Sequence, residues 1–170
     1  MSACEPRPAR SAAVLIASTR AATGVYEDRT APVLTDWLDD HGFDVVNPVI
    51  VPDGAPVASG LKALLALTPR VILTSGGTGL SADDQTPEMT APLLTRHVPG
   101  VMEAIRAAGL AKTPFAALSR GHAGVVTGPE GPGTFIVNLP GSPSGVMDAL
   151  SVLAPLIDHI CAQLEGSHAH

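Results

Sequence analysis

The chain has 170 residues, of which 45% are hydrophobic and 15% charged, and its formal net charge is −6 at neutral pH. That length supports one domain with a full core, while ten basic residues scattered through an acidic chain exclude a nucleic-acid-binding stripe. No run of about 18 apolar residues occurs, which excludes a spanning helix, and Cys4 and Cys161 form neither a disulfide framework nor a zinc spacing, so a reducing cytoplasm is the expected location.

Residues 1–10 carry Pro6, Pro8 and mixed charge and read as a loose N-terminal arm. Residues 11–164 read as a single domain and residues 165–170 as a flexible tail. Strand one is expected over 12–18. A helix over 32–41 places Val33, Leu34, Trp37 and Leu38 on one face and stops at Gly42. Strand two, over 43–51, contains Pro48, which marks an irregularity or a sheet edge. Val57, Leu61, Leu64 and Leu65 repeat at helical spacing over 57–67. Strand three follows over 71–74. Residues 87–109 read as helix, broken near Pro99-Gly100, and 115–118 as a strand. Strands over 124–127 and 134–137 read as a hairpin, and 146–164 as a long amphipathic helix kinked at Pro155. Strands alternating with helices predict an α/β sandwich with a mostly parallel sheet and right-handed crossovers.

One segment carries most of the chemistry. Arg70-Val71-Ile72-Leu73-Thr74-Ser75 is a buried-strand signal, followed at once by Gly76-Gly77-Thr78-Gly79 and then by Asp83, Asp84, Thr86, Pro87 and Glu88. Glycines let the backbone take positive φ and approach a ligand closely, and successive N–H groups in such a loop form an anion-binding concavity. Thr86 reads as an N-cap and Pro87 as the first helical residue, and a helix N-terminus favours anions. Carboxylates beside a phosphate cradle repel it unless a cation stands between them. Magnesium is that cation, because it binds through a few carboxylates plus substrate phosphates. The segment predicts a magnesium-bound phosphate ester.

Gly77-Thr78-Gly79-Leu80-Ser81-Ala82 also fits the G-x-G-x-x-A dinucleotide pattern. That pattern belongs after the first strand of a nucleotide-binding unit and opens directly into a helix, whereas this loop follows the third strand. No Gly-Lys-Ser/Thr occurs, so a Walker loop is excluded. Asp53, in Val51-Pro52-Asp53-Gly54, follows strand two. Alone it is a turn signal, but in a parallel sheet it shares one edge with Asp84 and joins it as a candidate metal ligand. In Asn138-Leu139-Pro140-Gly141-Ser142-Pro143-Ser144, Ser142 and Pro143 suit a helix start and offer a second anion site. Arg120, in Leu118-Ser119-Arg120-Gly121, is a candidate phosphate clamp because guanidinium binds phosphate bidentately. His122, His159, His168 and His170 share no ligand spacing.

Together these segments resemble the molybdopterin-binding family of molybdenum-cofactor biosynthesis: the MogA and MoaB proteins and the plant Cnx and gephyrin G domains. The resemblance rests on Thr74-Ser75-Gly76-Gly77-Thr78-Gly79 with Asp84 and Thr86-Pro87-Glu88, on Leu139-Pro140-Gly141-Ser142-Pro143, and on Leu118-Ser119-Arg120 with Ala123-Gly124. Ala22, Gly24, Tyr26, Asp28 and Pro32 follow its first-loop pattern, and Val51-Pro52-Asp53 its second-strand pattern. It runs over about residues 12–164 and is greatest to actinobacterial Mog proteins. Two positions depart: Asp83-Asp84 stands where the family commonly has Arg-Asp, and Ser18-Thr19-Arg20 where it often has Ser-Asp-Arg.

The resemblance implies a three-layer α/β fold, usually trimeric, and transfer of AMP from MgATP to the terminal phosphate of molybdopterin with release of pyrophosphate. It implies that Asp53 and Asp84 are catalytic and hold magnesium, as in members that keep both carboxylates. Ser75, Gly76, Gly77, Thr78, Gly79, Thr86, Glu88, Ser119, Arg120, Pro140, Gly141 and Ser142 are then expected to bind substrate. A molybdenum-insertion protein is an expected partner, and nucleic acid and membrane are not. Two other readings remain: a non-catalytic MoaB-like carrier or scaffold, and a nicotinamide-binding oxidoreductase.

Overall fold

The computed structural model describes residues 9–129 and 131–167. Residues 1–8 of the expected arm, with Cys4, lie outside the described residues, as do Glu130, His168 and His170.

The centre of the fold is β1 (Arg10–Ala17), β4 (Val71–Ser75) and β7 (Thr134–Leu139), three parallel strands whose runs are almost wholly buried. Continuous apolar sequence is what a parallel strand covered on both faces requires. Strand order is β2-β1-β4-β7-β6-β5 in a seven-stranded sheet, with β3 also pairing β1. Here β2 is Phe43–Val45, β3 Val49–Val51, β5 Arg96–His97 and β6 Ala123–Val126. Strand two is therefore two pieces that pair successive parts of β1, interrupted at Pro48 as its missing N–H requires. The hairpin partners β6 and β7 are antiparallel, and β5 extends them.

Side-chain alternation divides the core into two layers. Ala12, Val14 and Ile16 of β1, with Val71, Leu73, Phe135, Val137 and Leu139, pack under α2 (Thr30–Asp40), α5 (Pro99–Leu110), α6 (Pro143–Leu153) and α7 (Ile157–Leu164). Ala13, Leu15, Ile72 and Ile136 pack on the other face under α3 (Ala55–Leu65). Helix α3 comes so close that a Cβ on Gly60 would stand 2.7 Å from Leu15 Cδ1. Burying each such Leu or Ile contributes about 1.5–3 kcal/mol. The result is a three-layer α/β sandwich.

Several expectations are corrected. The helix over 87–109 is α4 (Thr86–Thr90), a 3₁₀ turn (Ala91–Leu93), β5 and α5. Pro92 removes a helix donor, and the residues after it pair with β6 instead. The strand over 115–118 is a 3₁₀ turn (Pro114–Leu118), started by Pro114 and by Thr113, whose hydroxyl accepts from Phe115 N. The helix over 146–164 is broken at Pro155 into α6 and α7, which meet at 58°. A short helix, α1 (Thr19–Ala22), capped by Ser18, has no counterpart in the reading from sequence. In α2, Leu34 and Leu38 are buried with Ala31, while Val33 faces solvent.

Arg10 and Glu165, expected in the arm and the tail, are part of the fold. Arg10 Nη2 donates to Glu165 Oε2 at 2.7 Å and its Nε to Oε1 at 2.9 Å. Arg70 Nε reaches the same carboxylate at 3.2 Å, and Arg70 Nη1 donates to the carbonyls of Pro132 and Gly133. Cys161 is buried beside this cluster, and burial pushes its thiol up to about 11. Among the described residues no single helix is long and apolar enough to cross a membrane.

Candidate functional site

Because β1, β3, β4 and β7 are parallel, their carboxyl ends share one edge, where ligands bind in open α/β sheets. Four loops leave that edge. The glycine loop after β4 turns through positive φ at Gly76 (92°) and Gly77 (65°). Gly76 is pressed against β1: a Cβ there would stand 2.2 Å from the Ala17 carbonyl oxygen. The loop after β7 lies against it, with Gly141 so placed that a Cβ would be 3.2 Å from Gly76 Cα. Ser75 Oγ donates to the Pro140 carbonyl at 2.8 Å and ties the two loops. Behind them the buried Asn138 amide donates to Thr74 and Thr90 hydroxyls and accepts from His122 N, joining β7 to β4, α4 and β6.

The two carboxylates flank the glycine loop. Asp53 Oδ2 accepts from Thr19 N and Thr19 Oγ1, both at 2.9 Å, and Asp53 N donates back to Thr19 Oγ1 at 3.1 Å. Its other oxygen, Oδ1, would be 3.3 Å from a Cβ on Gly77. Asp84 Oδ2 accepts from Ser81 N at 3.0 Å and would be 2.7 Å from a Cβ on Gly79. Gly79 itself has ordinary φ, so its lack of a side chain matters for the room it leaves Asp84, not for backbone freedom.

Two cavities open at this edge. The smaller, about 360 Å³, holds most of the charged side chains: Asp28, Asp53, Asp83 and Asp84 line it with Arg20, Tyr26 and Arg29 around Gly76 and Gly77. The larger, about 470 Å³, begins at Gly77, Thr78 and Gly79, passes Ile105, Phe115 and Leu118, and includes Arg106, Lys112 and Asp148. Gly77, Asp84 and Gly141 belong to both. Among the described residues neither Asp53 nor Asp84 is paired with Arg or Lys, and no three acidic, His or Cys side chains are placed so that they could hold a metal ion by themselves. Two carboxylates without a salt-bridge partner, lining one cavity, fit magnesium, which completes its shell with water and phosphate oxygens.

The family model for a probable molybdopterin binding domain matches residues 13–159. The chain belongs to the MogA/MoaB family of molybdopterin-binding proteins. It is 31% identical over 164 residues to the molybdopterin adenylyltransferase of Helicobacter pylori, covering 91% of this chain and 88% of that one. It is 36% identical over 157 residues to the molybdenum cofactor biosynthesis bifunctional protein of Synechococcus elongatus, with 92% of this chain and 48% of that one aligned, so the chain spans about half the length of such relatives. The solved structure of the Mog protein from Mycobacterium ulcerans is 47% identical, with a TM-score of 0.85 over 92% of this chain and 99% of that one.

Within this MogA/MoaB fold the residues singled out from sequence divide into three groups. Asp53, Asp84, Ser75, Gly76, Gly77, Thr78, Gly79, Ser119, Pro140, Gly141 and Ser142 line one cavity or both. Ser142 caps α6 as expected, accepting from Gly145 N at 3.2 Å. Thr86 does not cap α4. It is the first helical residue, donates its N–H to the Gly77 carbonyl at 3.0 Å, and keeps a fully buried hydroxyl with no hydrogen-bond partner, packed where a Cβ on Gly77 would intrude at 2.3 Å.

Arg120 lines neither cavity. Its Nε donates to the Gly79 carbonyl at 2.8 Å, Nη2 to the Asp84 carbonyl at 2.7 Å, and Nη1 pairs with Glu88. It clamps the glycine loop to the Asp84 turn rather than clamping a phosphate, and the guanidinium hydrogen bond holds the Glu88 carboxyl below the usual carboxylate range. Arg106, Lys112 and Asp148 are cavity residues that the sequence reading missed. The one available signal was composition: Lys112 is one of only two lysines in the chain.

Proposed function

We propose that this protein transfers AMP from ATP to the terminal phosphate of molybdopterin, giving adenylylated molybdopterin and pyrophosphate. The observation that carries the reading is the junction of two unlike cavities at Gly77, Asp84 and Gly141. A chamber rich in charged side chains suits a nucleotide triphosphate with its cation, and an adjoining, more apolar slot suits a flat pterin. The relatives named molybdopterin adenylyltransferase support the same assignment. Both substrates are anions, so the protein's task is positioning and charge neutralisation.

In this reading a phosphate oxygen of molybdopterin bonds to the ATP α-phosphorus as the bond from that phosphorus to the α,β-bridging oxygen breaks. The acceptor is already a nucleophile, so no general base is required. Asp53 and Asp84 would hold magnesium, which supplies charge neutralisation at the triphosphate. Thr19 orients Asp53, and Arg20 and Arg29 face the chamber where pyrophosphate would leave. Gly77 and Gly79 let the loop backbone pack directly against Thr86 and the two carboxylates, and both glycines line the larger cavity where a phosphate would enter. The family resemblance adds a homotrimer, a cytoplasmic location and hand-over to a molybdenum-insertion protein.

The deciding experiment incubates the purified protein with molybdopterin and MgATP. Pyrophosphate and adenylylated pterin should form 1:1, and omitting magnesium should abolish both. Tight pterin binding with no pyrophosphate at saturating MgATP would overturn the enzymatic reading in favour of a carrier. A stable monomer at micromolar concentration in sedimentation would contradict the trimer.

A further inference from the structure

The larger cavity contains an ion pair that the proposed reaction does not use. Asp148, on α6, is a buried charge at 8% exposure, and its Oδ1 pairs with the Lys112 ammonium, which is 62% exposed. The hydrogen bond from Lys112 goes to Oδ1 alone. A pair whose ammonium is largely exposed contributes little to stability, because solvent screens the attraction. Its position is better explained by what the cavity receives. Asp148 lies one helical turn, about 6 Å, beyond Ser144 on the same face of α6, and so further along the helix than the Ser142 cap that follows Gly141. Ile105 and Phe115 line the same cavity and offer apolar surface to a flat ring.

We propose that the Lys112–Asp148 pair reads the pyrimidinone edge of the pterin, and so fixes which way round molybdopterin enters. This rests on the function proposed above. That edge presents a carbonyl oxygen, O4, beside two donors, the N3–H and the 2-amino group. A carboxylate accepts from both donors in parallel, and an ammonium beside it donates to O4. Asp148 and Lys112 supply that pattern in that order. The pterin head then lies between α5 and α6, and the phosphate tail is directed to the glycine loop and Asp84.

The test measures molybdopterin binding to the full-length protein and to Asp148→Asn, and displacement by pterin or by lumazine, which carries oxygen in place of the 2-amino group. The variant should bind molybdopterin about 10–100-fold more weakly, the scale of lost charge-assisted hydrogen bonds. In the wild type pterin should displace molybdopterin at lower concentration than lumazine, and Asp148→Asn should erase that preference. A pair that merely ties the turn after α5 to α6 would change melting temperature and leave the preference intact. Unchanged molybdopterin affinity in a folded Asp148→Asn protein, or equal or absent displacement by the two analogues in the wild type, overturns the proposal. Should that variant not fold, acylation of the wild type decides: molybdopterin should protect Lys112 and not Lys62, and equal labelling of Lys112 with and without it is a refutation. Wild type that turns over while Asp148→Asn is unaffected removes this inference alone. Wild type that neither binds molybdopterin nor releases pyrophosphate removes the function as well.

Discussion

The two edges of the parallel sheet treat charge in opposite ways. At the amino edge, Arg10 and Arg70 converge on Glu165, and Asp158 adds to Arg10, so cations and carboxylates satisfy one another within the chain. At the carboxyl edge, Asp53 and Asp84 flank the glycine loop and line open cavities, and their hydrogen bonds come from Thr19 and Ser81 rather than from arginine or lysine. The cation nearest by sequence logic, Arg120, is turned to the Gly79 and Asp84 carbonyls and to Glu88. A charge cluster that closes on itself serves the fold. One left open, beside room for a ligand, serves chemistry. Substitutions at the carboxyl edge should therefore change activity more than stability, and those at the amino edge the reverse.

The largest effect is expected from Asp84→Asn. The amide keeps an oxygen for Ser81 N and almost the same shape, but removes the charge shared by the two cavities. Adenylyl transfer should fall by roughly 10²-fold or more, the scale of losing one key electrostatic group. Manganese binding in the presence of ATP, read by paramagnetic resonance, should weaken in parallel, while melting temperature and molybdopterin affinity stay near wild type. Near-normal turnover in the folded variant would mean that the carboxyl edge, too, is structural.

A smaller effect, about tenfold on turnover, is expected from Thr19→Val. It deletes the hydroxyl that both donates to Asp53 Oδ2 and accepts from Asp53 N, while the Thr19 N–H remains. About 1.4 kcal/mol of lost positioning corresponds to that factor. Thr19→Ser should restore it, and KM for molybdopterin should not move. An aspartate at this position would set a second carboxylate against Asp53. Thr19 instead holds the carboxylate without adding charge. If Thr19→Val leaves turnover intact, the open edge does not depend on how Asp53 is aimed.

How much of this was legible beforehand follows from how local each cause is. The glycine loop, the strand before it and the cap at Ser142 are set by neighbours within a few residues, and they stand where the sequence places them. Arg120 was assigned to a phosphate because its partners are backbone carbonyls 41 and 36 positions away, which no local pattern reveals. Lys112 and Asp148, also 36 apart, meet only because α5 packs on α6. Apolar residues 115–118 imitated a strand, but a strand needs an edge to pair with, and Pro114 with the Thr113 cap had already committed the backbone to a 3₁₀ turn. Residues 94–98 imitated the middle of a helix because their pairing partner, β6, lies some thirty positions on.

The smallest effect, and the one that tests the closed edge, is Glu165→Gln. Hydrogen bonds from Arg10, then the charges of Arg10 and Arg70, hold this carboxyl below the usual range. A carboxyl whose folded value is depressed contributes stability at every pH above its unfolded value of about 4.3, and that contribution is lost as pH falls through the lower folded value. At pH 7 the variant should therefore be less stable by about 1 kcal/mol, since the pair is half-buried and doubly hydrogen-bonded but still reached by solvent. Denaturant titrations should show the gap between wild type and variant constant from pH 7 to about 5 and closing below about 4 as the wild-type carboxylate protonates. Salt should shrink it only partly, because Arg10 and Glu165 are mostly covered. Turnover at pH 7 should be that of the wild type, since Glu165 lies across the sheet from both cavities and lines neither. A loss of activity without a loss of stability would show that the two edges are coupled through β1, whose first residue is Arg10 and whose last precedes the Ser18-Thr19 turn that holds Asp53.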